Sequence, residues 1–550
     1  MRKLLFAVLF CSTLNASGAE VYHFFVQFHD KLLNYSSLDQ AHTYLSERSL
    51  ERRKRLGIKL DSTDLPVSQG YIINIVKPSI HVDYVSKWLN GAVISTLEPD
   101  SAFNLKIKFF VDDVVYLGKT QETTWQSGNQ SELVNKDTFG LGWNQVHMMQ
   151  GEQLHLNGYT GKSMRIAVLD AGFKRMNKLS LFKHLYDNQK IVYTNDLVDK
   201  ESDVYDDDDH GLHVIGCMAA NKSGTMVGTA PDAEYVLIRT EANRYENLLE
   251  ELHWVRAAEI ADSLGVDVIN SSLGYNHFDE KRLNHTHDEL DGKSAYISRG
   301  ADFAVTRGIL VVNSAGNDGN KAWGKLDFPA DAELPLIVGA MRDNMEVTSF
   351  SSPGPTSDMR IKPDIAALGH QVTIATTYGT GTGNGTSYST PIVTGLATCL
   401  WEADPSLTPQ QIKKLIIHSS HLFNTPDYSV GHGLPDFNLA LKMIGKHPNM
   451  DYSKPQVVNR EQELDGDQIQ YDVYVPNSQY VSFLIYQKKR FLIFKYRKKL
   501  ESGELNLYRG FAKIDIQSLD DYGKKNTAIE FRYSNAQGDQ HVFESISIKR

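Results

Sequence analysis

Three short segments hold side chains that could cooperate in nucleophilic chemistry. The run Ile166-Ala167-Val168-Leu169-Asp170-Ala171-Gly172 puts a carboxylate at the end of an apolar, strand-like stretch. The run His210-Gly211-Leu212-His213-Val214-Ile215-Gly216 opens a helix-like stretch with a histidine. In Asn384-Gly385-Thr386-Ser387-Tyr388-Ser389-Thr390-Pro391 a serine stands at the start of an apolar helix expected to run to about Ala403. A serine hydroxyl is a weak nucleophile near pH 7 and needs a base. An imidazole can take that proton and later hand it to a leaving group. A carboxylate beside the imidazole would fix its tautomer and stabilise its charged form. Taken singly, each has a plain reading as a cap or a turn residue; the combination and its order are what carry meaning.

In that order, Asp then His then Ser, the segments resemble the signatures of the subtilisin-like serine peptidases, the S8-type subtilases of secreted bacterial enzymes. Two further segments share the resemblance. Val268-Ile269-Asn270-Ser271-Ser272-Leu273-Gly274 is similar to the strand lining the family's substrate cleft, and Ser314-Ala315-Gly316-Asn317-Asp318-Gly319 to the segment bearing its oxyanion-hole asparagine. The similarity spans roughly residues 140–445. It implies a catalytic triad of Asp170, His210 and Ser387, with Asn317 donating to the oxyanion. It implies peptide-binding backbone at Ser272, Leu273 and Gly274, and pocket walls at Ala315 and Gly316. Of two nearby histidines, the family pattern selects His210 over His213. A looser alignment puts Asp327 near the pocket floor, where an acid would favour Arg or Lys before the cut bond; a solvated loop aspartate is the other reading. The sequence departs from the family at Leu212 (usually Thr), at Tyr388 (usually Met), and at Ser389-Thr390; Tyr388 could narrow the leaving-group side.

These residues need a scaffold that brings them together. Short apolar runs (Arg165 to Asp170, Tyr235 to Thr240, Val266 to Ser271, Gly308 to Asn313, Leu334 to Ala340) alternate with helix-like segments such as Asn247 to Leu264 and Ser298 to Arg307. Buried strands alternating with helices predict an α/β fold, a parallel sheet with helices on both faces. Upstream, residues 20–120 read as a small α+β unit: strands at Val21 to Phe28, Tyr71 to Val76 and Leu105 to Val115, and a helix over Leu38 to Leu56. This unit resembles the inhibitory prodomains that precede many subtilase domains, which makes it an intramolecular inhibitor of a zymogen. Residues 121–139 read as a linker. Residues 446–550 read as an all-β sandwich with strands near Tyr471, Val481, Phe491, Leu505, Ala528 and Val542. Its basic cluster, Lys488, Lys489, Arg490, Lys495, Arg497, Lys498 and Lys499, reads as solvated strand ends.

Residues 1–19 carry the layout of a signal peptide: Met1-Arg2-Lys3, an apolar run from Leu4 to Leu14, and small residues before a cut after Ala19. Export to the periplasm, cell surface or medium is expected, with no membrane anchor after the signal leaves. A net charge of −10 argues against a nucleic-acid partner. Cys217 and Cys399 remain after Cys11 leaves; both read as buried thiols, with a bridge as the alternative. Arg52-Arg53-Lys54-Arg55 resembles a processing site but lies mid-helix, so a solvated face is expected. The acidic run Asp206 to Asp209 suits calcium in its oxygen ligands; a solvated loop that raises the local histidine pKa is the other reading. No metal site is assigned, and no cofactor is required by the chemistry. Alongside an active endopeptidase acting on proteins or peptides stand two other readings: a low-turnover binding scaffold and a processing peptidase of narrow specificity.

Overall fold

The computed structural model describes residues 20–547, apart from 33–35, 78, 121–137, 447–449, 463–468, 477–479, 492–493, 510, 517–526 and 535–539. The signal-peptide segment, most of the 121–139 linker and the side chains of the Lys488–Lys499 basic cluster lie outside the described residues.

Residues 20–120 form an antiparallel sheet in the order β2-β3-β1-β4: β1 Val21–Phe28, β2 His81–Ser86, β3 Gly91–Thr96 and β4 Val111–Thr120. The two longer helices of this unit are α1 Glu47–Leu56 and α2 Gln69–Ile75. Three expectations are corrected here. The single helix expected over Leu38–Leu56 is split, because Ser46 caps a new helix through its hydroxyl and the Ser49 N–H. Tyr71–Val76 is helical rather than a strand: Ser68 caps the Tyr71 N–H, and Tyr71 and Ile75, one turn apart, are the buried pair. The last strand begins at Val111 rather than Leu105, after a 3-10 turn at Asn104–Ile107.

The central sheet has seven parallel strands in the order β11-β10-β9-β8-β5-β7-β6. These are β5 Arg165–Asp170, β6 Ile191–Asp196, β7 Glu234–Arg239, β8 Val268–Ser271, β9 Leu310–Ser314, β10 Leu336–Met341 and β11 Ile365–Leu368. The inner strands are buried at nearly every position, which is why they read as unbroken apolar runs. The main flanking helices are α3 His210–Ala219, α4 Leu248–Ser263, α5 Tyr296–Thr306 and α6 Thr386–Ala403. One apolar core packs α3 and α6 on one face; a second packs α4 and α5 on the other. Cys217 and Cys399 are free thiols inside the first.

The N-terminal sheet lies against α4 and α5. Phe25, Trp88, Leu89, Val93 and Leu117 join their core, and Trp88 stacks on Phe303 at 6.2 Å. Buried ion pairs fasten the same face. Arg52 meets Asp262 at 2.5 Å, Arg53 meets Asp262 and Asp64 at 2.9 and 2.7 Å, and Lys87 meets Asp262 at 2.9 Å. The Glu259 carboxylate accepts from the Ser86 hydroxyl at 2.7 Å and the Trp88 N–H at 3.0 Å. The solvated face expected for Arg52–Arg55 is thus overturned at its first two members. They are 1% and 2% exposed, because α1 is amphipathic in its charges and turns those arginines onto an acidic helix end.

Past residue 450 two antiparallel sheets, β12-β13-β16 and β15-β14-β17-β18, comprise β12 Gln456–Gln462, β13 Ile469–Tyr474, β14 Tyr480–Phe491, β15 Phe494–Asn506, β16 Phe511–Ile516, β17 Thr527–Ser534 and β18 Gln540–Ser547. Tyr471, Val473 and Ile514 from one sheet share a core with Val481, Ile529 and Phe531 from the other. Among the described residues no helix is long and apolar enough to cross a membrane.

Candidate active site

The carboxyl end of β5 delivers Asp170, which is fully buried. Its Oδ1 accepts from His210 Nδ1 at 2.7 Å and from the Ala171 N–H at 2.8 Å. His210 is the first residue of α3, where the Asp208 carboxylate accepts its backbone N–H at 2.7 Å. Burial alone would lower the His210 pKa; the charge and hydrogen bond of Asp170 outweigh it and push it up to about 9. With Nδ1 engaged, Nε2 is the nitrogen left to face a hydroxyl.

Ser387 is the second residue of α6, 8% exposed. Its Oγ donates to the Ser272 carbonyl at 3.3 Å rather than to His210. Its own carbonyl accepts from the Ser272 hydroxyl at 2.9 Å, which locks the helix start to the end of β8. Asn317 is oriented by its neighbours: its Oδ1 accepts from the Thr386 N–H at 2.9 Å and from the Thr386 hydroxyl at 3.1 Å. The amide oxygen is therefore occupied, leaving the Nδ2 donors for the cleft in front of Ser387.

These side chains open onto one cleft of about 790 Å³, lined also by Ser272, Leu273, Gly274 and Gly316. Ala315 is fully buried behind that wall, its N–H donating to Val338. Asp327 lies at the floor: a Cβ at Gly274 would stand 2.7 Å from its Cβ, and one at Gly316 only 2.1 Å from its Oδ2. Gly316, at φ 108°, is a position where any side chain would strain the backbone and close the pocket. Burial and then Asp318 push the Asp327 pKa up to about 7.

His213 sits apart from the Asp170–His210 pair. It is 3.7 Å from Asp209 and packs edge-on to Tyr388, whose ring also flanks His210 at 6.2 Å. The acidic run is divided among partners. Asp207 pairs with Arg239 at 3.0 Å, which also holds Asp196 and Asp199 at 2.7 and 2.6 Å. A guanidinium fills the middle of those three carboxylates, where a cation would have to sit. Asp208 contributes to raising the His210 pKa, as the acidic-loop reading expects.

Sequence reasoning missed three cleft residues, Glu241, Glu246 and Glu250, whose carboxylate oxygens lie within 4.8 Å of one another. The available signal was position: Glu241 lies two residues past the end of β7, and residues just past the carboxyl ends of parallel strands face the crevice.

An Asp–His pair, a serine at a helix start and an amide beside it, all at the carboxyl edge of a parallel sheet, are the equipment of a serine hydrolase. A family model described as the subtilase family matches residues 161–433, and one described as the peptidase S8 propeptide domain of Bacteroidota matches residues 23–132. Serine protease AprX of Bacillus subtilis (strain 168) is 28% identical over 303 residues, 49% of this chain and 64% of AprX. Subtilisin E of the same strain is 30% identical over 295 residues, 52% of this chain and 68% of its own length. Subtilisin of Bacillus pumilus is 29% identical over 303 residues, 54% of this chain and 97% of its own. The solved structure of MycP1 with its N-terminal propeptide removed covers 56% of this chain and 99% of its own, at 24% identity and a TM-score of 0.44. The chain belongs to the subtilase family and carries a propeptide domain of the S8 type.

Proposed function

We infer that this chain is a serine endopeptidase that cuts peptide bonds through an acyl-enzyme. The observation that carries this reading is the 2.7 Å bond from His210 to a buried Asp170, with Ser387 at the neighbouring helix start. Ser387 Oγ attacks the carbonyl carbon while His210 Nε2 takes its proton. Asp170 holds the imidazole and stabilises the imidazolium. The Asn317 Nδ2 and the Ser387 N–H donate to the tetrahedral oxyanion. His210 then protonates the leaving amine, and water repeats the sequence on the acyl group. An extended peptide lies along Ser272–Gly274, its side chain before the scissile bond entering the pocket between that segment and Ala315–Gly316.

The chain divides into a signal peptide (1–19), an inhibitory prodomain (20–120), a linker (121–139), a catalytic domain (140–445) and a β-sandwich (446–550). The prodomain reading is supported by its apolar and ionic contact with α4 and α5. It is supported too by β4, which ends at Thr120 after passing Asn247 (beside Gly118) and Glu280, bonded by the Tyr116 hydroxyl at 2.5 Å. Self-cleavage within 121–140 releases the mature form, and residues 1–19 direct export.

The test compares residues 20–550 with a Ser387→Ala version by intact mass, casein hydrolysis and labelling with a fluorophosphonate. Wild type should trim itself, cleave casein and label; Ser387→Ala should do none of these. An inert, unlabelled wild type would reject the peptidase reading in favour of a binding scaffold.

A further inference from the structure

Buried carboxylates in this protein are generally met by cations: Asp262 by two arginines and a lysine, Asp196 by Arg239, Asp364 by Lys362 and Lys413. Among the described residues the cleft departs from this, as Asp331 does elsewhere, whose carboxylate accepts from the Ser298 hydroxyl and the Gly292 N–H without an ion pair. Asp327 is 7% exposed, and its Oδ1 accepts from Asn276 at 2.5 Å, yet among the described residues no Lys, Arg or His side chain pairs with it. The cation beside it, Lys321, pairs with Asp318 at 2.5 Å instead. The second group, Glu241, Glu246 and Glu250, crowds three carboxylates together, again with no ion pair among the described residues. Glu241 accepts from the hydroxyls of Tyr275 and Thr240, and Glu250 from the N–H groups of Ala242 and Asn247; these bonds orient the acids without neutralising them. Burial, followed by the neighbouring acids, pushes Glu246 up to about 8, and burial foremost holds Glu241 near 7. Such crowding is relieved by a cation arriving from outside.

Tyr275 joins the two acidic groups. Its hydroxyl donates to Glu241, while its backbone pairs with Phe328, next to Asp327, at 3.0 and 2.9 Å. The Ser272–Gly274 segment that would carry the substrate backbone leads into Tyr275. An extended peptide rises about 3.3 Å per residue with side chains alternating in direction. One long basic side chain can thus enter the Asp327 pocket while another, one to three residues upstream, reaches the glutamates.

We propose that the cleft selects peptides with two basic side chains, the first directly before the scissile bond against Asp327 and the second upstream against Glu241, Glu246 and Glu250. This rests on the endopeptidase reading above and narrows it to a substrate class. A cationic peptide neutralises acids that no cation pairs with among the described residues, so charge both draws it in and fixes its register.

The test uses wild-type enzyme and coumarin-releasing tetrapeptides, Ala-Ala-Ala-Phe, Ala-Ala-Ala-Arg, and versions with a second Arg at each upstream position, with fluorophosphonate labelling in parallel. A single Arg before the cut should raise kcat/KM at least about tenfold over Phe, and one upstream Arg should add roughly fivefold more. Asp327→Asn should erase the first gain, and Glu246→Gln the second alone. Equal or better cleavage after Phe by enzyme that labels overturns this proposal and leaves the peptidase reading standing. No labelling and no cleavage of any peptide overturns both. An upstream gain abolished by saturating calcium, with the Asp327 gain intact, means the glutamates hold a metal ion, and overturns the upstream half.

Discussion

Beneath the propeptide helix, Asp262 is fully buried and held by Arg52, Arg53 and Lys87; at the cleft floor, Asp327 is almost as buried and no cation among the described residues pairs with it. Burial disfavours the charge in both places. At Asp262 the three cations outweigh it and hold the carboxyl well below its usual range, whereas at Asp327 burial wins and the pKa rises to about 7. The same residue type therefore makes a permanent fastening in one region and a vacancy for charge in the other. The difference lies in what the chain supplies around it: α1 brings two arginines to one acid, while the cleft brings glycines, an asparagine and more acids.

Asp170 stands between these extremes, buried and paired only with a titratable partner, and it gives the largest expected effect. Asp170→Asn should lower kcat by about 10⁴, since the imidazole loses both its orientation and the charge that supports its protonated form. Its pH profile should move as well. The serine proton needs a neutral imidazole, so wild-type kcat/KM should climb with pH toward about 9. In Asp170→Asn the rise should fall at lower pH, read as residual turnover against pH.

Asp262→Ala comes next. It leaves Arg52 and Lys87 without their paired anion and Arg53 with Asp64 alone, and should destabilise the uncleaved Ser387→Ala chain by about 3–5 kcal/mol in urea unfolding. Because the folded Asp262 pKa is depressed, its stabilisation is full above the ordinary carboxyl pKa and is lost only as pH falls through the lower, folded value. The propeptide face should hold in mildly acidic buffer.

The cleft acid should behave with the opposite sign. A carboxyl raised to about 7 is costly to ionise in the folded state, so that cost grows between about pH 4 and 7. Asp327→Asn should therefore be more stable than wild type by about 4 kcal/mol at pH 8 and equal to it at pH 4, by thermal melting at each pH. The smallest effect belongs to Arg55→Ala. That arginine pairs with Asp267 at 3.3 Å but keeps 37% of its side chain exposed, so its loss should change the unfolding free energy measured in urea by only about 0–1 kcal/mol. A large effect there would show that the fastening extends to the rim of the interface.

Much of this was legible along the chain. The run Arg165–Asp170 is a strand with those same bounds, and the helix after Ser387 ends at Ala403 as expected. Strands buried on both faces announce themselves as apolar runs, and residues at their carboxyl ends are placed by the fold. Asp170 and Asn317 were singled out through the family resemblance of their segments, and the structure puts both at or just past such strand ends. Asp327, reached only through a soft alignment of its loop, lies beside Gly274 and Gly316. The N-terminal unit was harder. In Tyr71–Val76 β-branched residues suggested extension, but one serine cap and one buried pair a turn apart decided for a helix. The hairpin of β2 and β3 gave no clear alternation, because three of its central residues, Ala92, Val93 and Ile94, are all buried between neighbouring layers. The ion pairs of Arg52 and Arg53 were invisible for a different reason. Their shared partner, Asp262, lies about two hundred residues away, and a charge run on a helix carries no mark of what will face it.

The two cysteines lie wholly inside the core that packs α3 and α6, and burial raises both thiols far above their usual range. No covalent cross-link joins them, so reducing agents leave the folded state untouched. Both are sealed from alkylating reagents until that core opens. The protein therefore carries two native sensors of global opening, and their rate of modification counts how often the folded core comes apart.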